Sequence, residues 1–303
     1  MTHGSIEDED WTSRGERGVR IAIQLMVWLA LHLGRPATRL LLYPISAYFL
    51  AFAGASKSAS RDYLRRALGR EPSLVDCFRH YHSFAAIVLD RVYLLNNQLD
   101  LFDVHVEGEE IAKTKLAVGE GCFLFGAHLG SFEVLRALGH QQTRLKLSLL
   151  MYEENARKIN SVLNAINPNL LLEVIALGRP GSMLAVKQRI EEGHLIGILA
   201  DRGLSTGDED HLAVDFLGKK ARLPLGPFRL AAILQRPIIL MVGLYQGGRR
   251  YDVYFERLAD FSHVTRDARA EEVDRAIRHY VERIEHFCRL SPYNWFNFYD
   301  FWR

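Results

Sequence analysis

Four residues separate His128 from Glu133 in the stretch His128-Leu129-Gly130-Ser131-Phe132-Glu133. A carboxylate on one nitrogen of an imidazole fixes its tautomer and raises the basicity of the other nitrogen. Such a histidine is a general base that can take the proton of a substrate hydroxyl. This assistance contributes roughly 10² to 10⁴-fold, so positioning groups and donors to a developing oxyanion are needed too. In an unbroken helix a five-residue step turns by roughly 140°, and the two side chains would face apart. Gly130 breaks the backbone and Ser131 supplies an N-cap, so the expectation is His128 on a pre-helical loop, folded back on Glu133. The plain alternative is a surface histidine beside a glutamate that complements a helix dipole.

The pair depends on what surrounds it. Residues 122–127 form an apolar run that reads as a strand, and 131–138 read as the helix after it. Further strands are expected at 145–151, 170–175 and 195–200, with helices at 154–166 and 182–192. This βαβαβαβ pattern predicts an α/β fold with a largely parallel sheet covered on both faces. Strands at 238–245 and 251–255, joined through Gly247-Gly248, add a hairpin and make the sheet mixed. Helices are expected near 225–235 and over 270–290. Ligands on such sheets gather at the carboxyl ends of strands, where His128 follows one end and Asp201-Arg202 another.

Other polar positions follow from the same layout. Arg179 lies between a strand and the helix at 182, where it and the helix N-terminus suit a phosphate or carboxylate; a solvated loop arginine is the alternative. Asp201 and Arg202 suit substrate contact or a structural ion pair at a strand end. Lys219, Lys220 and Arg222 form a basic cluster, suited to a phosphorylated substrate or lipid headgroups, or else a charged hairpin tip.

Composition narrows the classes. With 303 residues, 49% hydrophobic and 24% charged, the chain is globular, and a formal charge of +2 gives no support to a nucleic-acid partner. Cys77, Cys122 and Cys288 lack metal-ligand spacing, which points to reduced thiols and no metal site. After a polar stretch of about twenty residues come apolar segments 21–34 and 40–54, broken at Arg35-Pro36. Each is nearer 15 residues than the roughly 20 that cross a bilayer. Trp28, Tyr43 and Tyr48 supply amphipathic rings, and Arg17, Arg20, Arg35 and Arg39 flank the first segment. This combination suits lying in, or dipping into, an anionic membrane face; a helix pair packed on the main domain is the alternative. The expected organisation is 1–56 as polar tail and membrane-associating helices and 57–303 as the α/β domain, with 57–100 as a helical lead-in. Within the lead-in, a helix stops at Gly69, and Glu71-Pro72-Ser73 opens another that runs to about residue 95. His80 and His82, two apart on it, read as helix-surface residues.

Together these motifs resemble the lipid A late acyltransferase family, a branch of the lysophospholipid acyltransferase superfamily, over most of the chain. The matching pieces are His128-x4-Glu133, Arg179 ahead of Gly181-Ser-Met-Leu-Ala185, the strand ending Gly197-Ile-Leu-Ala-Asp201, and the segment 214–226. The resemblance implies a membrane-associated O-acyltransferase that moves a fatty acyl group from a thioester to a lipid or glycolipid hydroxyl. In that family the histidine and acidic residue deprotonate the acceptor, which assigns His128 as base and Glu133 as its orienter. The expected substrate-binding set is Gly130, with a neighbouring backbone amide binding the oxyanion, together with Arg179, Asp201, Arg202, Lys219 and Arg222. No cofactor is expected, and the cosubstrate is acyl carrier protein or coenzyme A thioester. Partners are membrane lipids, and the expected location is the cytoplasmic face of a bacterial inner membrane. The chain departs from the family in its aromatic tail, residues 293–302, in Tyr152-Glu-Glu-Asn155 where lipid A enzymes often carry Tyr-Arg-Pro, and in Arg202. These departures leave the acceptor open. The rival readings are a lipid or thioester hydrolase and a noncatalytic lipid-binding protein.

Overall fold

The computed structural model describes residues 6–111, 114, 121–134, 137–138, 146–167, 173–178, 181–203 and 210–302. Arg179 lies outside them, and the side chains of Arg17 and Arg20 are likewise not described. The chain opens with α1 (Ile6–Phe52), interrupted where Gly34 takes φ 76° and ψ 165°. Pro36 follows just inside the resumed helix, where a missing N–H costs nothing, and the Thr38 hydroxyl donates to the Gly34 carbonyl at 2.8 Å. Helix α2 (Gly54–Leu68) ends on Gly69 in the left-handed region, and α3 (Leu74–Leu95) begins with a reciprocal capping box between Ser73 and Asp76.

The strands are β1 (Asp103–Glu107), β2 (Cys122–Gly126), β3 (Leu147–Tyr152), β4 (Glu173–Leu177) and β5 (Leu195–Leu199). They are followed by the separate hairpin β6 (His211–Phe216) and β7 (Lys219–Pro224), then β8 (Pro237–Gly247) and β9 (Arg250–Asp260). Helices α4 (Glu153–Ile166), α5 (Ser182–Glu191), α6 (Gly226–Ile233) and α7 (Arg269–Leu290) complete the chain. Of the helix expected at 131–138, positions 131–134 and 137–138 are described; 133–134 and 137–138 are helical, while 131 and 132 still belong to the loop before it.

Seven strands form one sheet in the order β1-β9-β8-β2-β5-β3-β4, parallel at every pairing except β8 with β9. The fold class expected from the alternating pattern is therefore present. Strand β2 lies near the middle and is buried along its whole length, as a parallel strand covered on both faces must be. Its residues alternate between two cores. Phe123 and Phe125 join α7, α6 and the carboxyl-terminal tail on one face, while Cys122 and Leu124 join α1, α3 and α4 on the other.

The amino-terminal segment requires two corrections. Arg35 and Arg39 were expected to flank a membrane segment, but both face inward. Arg35 is buried and grips Asp90 of α3 with two bonds of 2.7 and 2.9 Å, while Tyr251 of β9 donates to the same carboxylate at 2.8 Å. Arg39 donates to the Tyr245 hydroxyl at 2.6 Å. A buried guanidinium needs a paired carboxylate, and Asp90 supplies it, so these arginines tie α1 to α3 and the β8–β9 hairpin. Outside this tie α1 keeps an apolar exposed side, with Trp28 55% and Phe52 75% accessible. No single helix among the described residues is long and apolar enough to cross a membrane; the bent pair Gln24–Phe52 with Gly54–Leu68 meets that test together.

The second correction concerns His80, which is fully buried instead of lying on a helix surface. Its Nε2 is 2.9 Å from the Trp295 carbonyl oxygen and its Nδ1 is 2.8 Å from Ser60 Oγ. A carbonyl only accepts, so Nε2 carries the proton and Nδ1 accepts from the serine hydroxyl. Burial pushes this imidazole down to about 4, against a smaller upward effect of the Trp295 carbonyl. The aromatic tail packs over α3 and covers the side that sequence spacing left free.

Candidate active site

Strands β2 and β5 are parallel neighbours, with Gly126 in register with Leu199. Their carboxyl ends therefore deliver the next residues side by side, and the Ala200 amide still donates to the Gly126 carbonyl at 3.0 Å. One step beyond, the loops bring His128 and Asp201 together across 73 residues of sequence. His128 Nδ1 lies 2.8 Å from Asp201 Oδ1, and the His128 amide donates to Oδ2 at 3.1 Å. The indole N–H of Trp295 adds a third donor, also to Oδ2, at 3.3 Å.

Asp201 is 3% exposed, while the His128 side chain is 35% exposed. Burial pushes the Asp201 carboxyl up, but the charge and hydrogen bond of His128, followed by Arg202, outweigh it and hold the group below its ordinary value. It is a buried anion with a full set of donors. Because a carboxylate only accepts, Nδ1 of His128 carries the proton and Nε2 is left as the basic nitrogen. The arrangement can take a proton from a hydroxyl and stabilise the imidazolium that results.

Glu133 does not occupy the position expected of it. Its carboxylate lies 2.7 Å from Arg91 Nε of α3 and accepts from Ser131 Oγ at 3.2 Å. The cause is local geometry. Gly130 takes φ 69°, and a Cβ there would fall 1.9 Å from the Gly243 carbonyl oxygen, so the chain turns hard against β8. The Ser131 amide then donates to Gly243 at 2.7 Å, and Glu133 emerges beside α3. The hydrogen-bond partner of the imidazole is Asp201.

An oxyanion-binding amide was expected near Gly130; the Gly130 amide itself donates to the Asn294 carbonyl at 2.8 Å and the next one, of Ser131, to the Gly243 carbonyl at 2.7 Å, so neither of these is a free donor. Arg202, expected on a substrate anion, donates to the Phe296 carbonyl at 2.9 Å and to Asn297 Oδ1 at 3.2 Å, and its guanidinium lies 4.8 Å from the Tyr299 ring centre. The Gly130 amide and Arg202 are engaged because the aromatic tail crosses the strand ends. Lys219, Lys220 and Arg222 sit on β7, outside the seven-stranded sheet, with Lys219 exposed and Lys220 paired to Asp215 at 2.8 Å. None of the three is among the hydrogen-bond partners of His128 or Asp201.

Sequence reasoning missed the role of the tail. Trp295 is fully buried, with Tyr63, Phe216 and Phe301 rings at 4.9 to 5.2 Å. Leu129 and Trp295 form an antiparallel bridge in which the Phe296 amide donates to the His128 carbonyl at 2.8 Å. The signal available for Asp201 was its position at a strand end; that this end lies beside the one carrying His128 is set by the strand order, and no spacing marks Trp295.

The family model for bacterial lipid A biosynthesis acyltransferases matches residues 19–303. A comparison with curated proteins returns no match.

Proposed function

We propose that this chain, which belongs to the bacterial lipid A biosynthesis acyltransferase family and is therefore an acyltransferase, transfers a fatty acyl group from a thioester to a lipid or glycolipid hydroxyl by general-base catalysis. The observation that carries the mechanism is the partly exposed His128, bonded through Nδ1 to the buried Asp201. In this reading the acceptor oxygen attacks the thioester carbonyl carbon while its proton passes to Nε2. The tetrahedral intermediate collapses with cleavage of the C–S bond, and the departing thiolate takes the proton back from the imidazolium. Asp201 fixes the tautomer and faces the positive charge. Glu133, tied to Ser131 and Arg91, holds the loop that carries His128.

The acyl donor is a thioester of acyl carrier protein or coenzyme A. The exposed apolar side of α1, with Trp28, Tyr48 and Phe52, supports a protein lying on the cytoplasmic face of a bacterial inner membrane with a shallow insertion. Its hydrophobic contact would place the strand ends near acyl chains and lipid hydroxyls.

Lipid mass spectrometry on cells carrying the wild type or His128→Ala tests the proposal. One acylated lipid should disappear with the variant, and purified His128→Ala should lose roughly 10² to 10⁴-fold in kcat while circular dichroism and membrane fractionation stay unchanged. Wild-type turnover by that variant would falsify the mechanism. Thioester consumed at the full rate without acceptor lipid would mark a hydrolase instead.

A further inference from the structure

The carboxyl-terminal tail touches both halves of the site. The Asn294 carbonyl accepts from the Gly130 amide, the Phe296 amide donates to the His128 carbonyl, and the Phe296 carbonyl accepts from Arg202. Asn294 is itself locked, since its side chain accepts from the Tyr245 amide at 2.8 Å and donates to the Tyr245 carbonyl at 3.0 Å and to Ser291 Oγ at 2.7 Å. Between these anchors Trp295 has a single indole N–H, directed at Asp201 Oδ2. Its carbonyl oxygen is held from the other side by His80.

We propose that Trp295 is a positioning residue for acyl transfer: its indole N–H fixes the Asp201 carboxylate so that Oδ1 faces Nδ1 of His128 and Nε2 faces the acceptor hydroxyl. The assignment rests on the His128–Asp201 mechanism above. Oδ2 takes the indole and the His128 amide, which stops rotation of the carboxylate and keeps Oδ1 for the imidazole. The indole also withdraws part of the carboxylate charge. Without that donor more of the charge is left for the imidazole, so the imidazolium becomes easier to form while the base becomes less well aimed. Other titratable or charged groups that interact with Asp201 are Arg202, Tyr280, Tyr299 and Cys288, and Trp295→Phe changes none of them.

The same aromatic cluster contains an internal control. Trp302 stands 5.9 Å from Trp295, and its indole N–H donates to the Phe216 carbonyl at 3.1 Å, away from the dyad. Trp295→Phe and Trp302→Phe each remove one indole N–H and some ring volume. A packing role predicts similar behaviour for the two; a positioning role separates them.

The test is kcat and KM against pH, on whichever acyl thioester the wild type turns over, with a bacterial lipid extract as acceptor. Trp295→Phe should lower kcat about tenfold with KM within about twofold, and move the acid limb of kcat/KM upward by roughly half a pH unit. Trp302→Phe should lower the melting temperature and leave the acid limb in place. Should Trp295→Phe fail to fold, benzothienylalanine at position 295, installed by codon suppression, keeps the ring volume and removes only the N–H; it should reproduce the kcat loss and the limb shift. If the isostere, or a folded Trp295→Phe, shows the wild-type limb and loses no more kcat than Trp302→Phe, the positioning role is overturned. Full activity in His128→Ala would sink the underlying mechanism instead, so the two failures are told apart.

Discussion

His80 and His128 lie on opposite sides of Trp295, and the tail holds the surroundings of both. His80 is sealed, with Ser60 on one nitrogen and the Trp295 carbonyl on the other, and its burial disfavours the charged form. His128 has one nitrogen on a buried carboxylate and a side chain one-third open to solvent. The difference lies in the partner and the free face. A neutral carbonyl and hydroxyl make a structural joint between helices; an anion with one open nitrogen makes a base. The Arg35–Asp90–Tyr251 cluster belongs with the sealed kind, since its cation is permanent and all its members are buried.

The sharpest way to break this contrast is at the open node. Asp201→Asn should lower kcat by roughly 10³ to 10⁴-fold, because the amide can favour the wrong tautomer and no longer faces the imidazolium with a charge. Steady-state kinetics with a folded variant checks this, and a loss below tenfold would reassign the orienter. The sealed nodes should respond in stability. Arg35→Ala leaves Asp90 buried without its cation and should cost about 3–5 kcal/mol in denaturant unfolding, because an uncompensated charge is left behind.

His80 gives the contrast a pH dependence. Its folded value, about 4, lies below the ordinary 6.5, so the unfolded chain binds more protons between those values. Its contribution is fully present above about pH 6.5 and is lost as pH falls toward 4, an acid destabilisation of about 3 kcal/mol. Melting curves across that window should show the loss, and His80→Gln should flatten it. The smallest effect is expected from Ser60→Ala, which strips the donor from His80 Nδ1 and should cost about 1–3 kcal/mol by chemical denaturation. A change in the pH profile of kcat/KM in that variant would mean that the sealed joint is coupled to the base.

These contrasts also show which parts of the molecule were legible in the chain. The strand at 122–126, the Gly69 stop, the Ser73 cap and the Gly247-Gly248 hairpin all rest on local rules, and each appears within a few residues of its expected place. His128 was legible because a histidine after a buried strand falls at the ligand-binding end of a parallel sheet. Its partner was not. Glu133 is near in sequence, but the left-handed turn at Gly130 directs it toward Arg91. Asp201 is 73 residues away and becomes a neighbour only because β5 lies beside β2. Arg35 and Arg39 misled for a related reason, since arginines beside apolar helices look alike whether they meet headgroups or a buried aspartate.

By itself the amino-acid sequence determined the alternating strands and helices, the place of His128 at a strand end and the apolar character of α1, because periodicity and turn chemistry act over a few residues. The tertiary structure alone decided that Asp201 faces the imidazole, that Gly130 and Arg202 are taken by the tail, and that His80 is sealed. Those outcomes depend on strand order and on where residues 293–302 dock, and hydrogen bonds between distant segments are set by that packing and not by spacing along the chain.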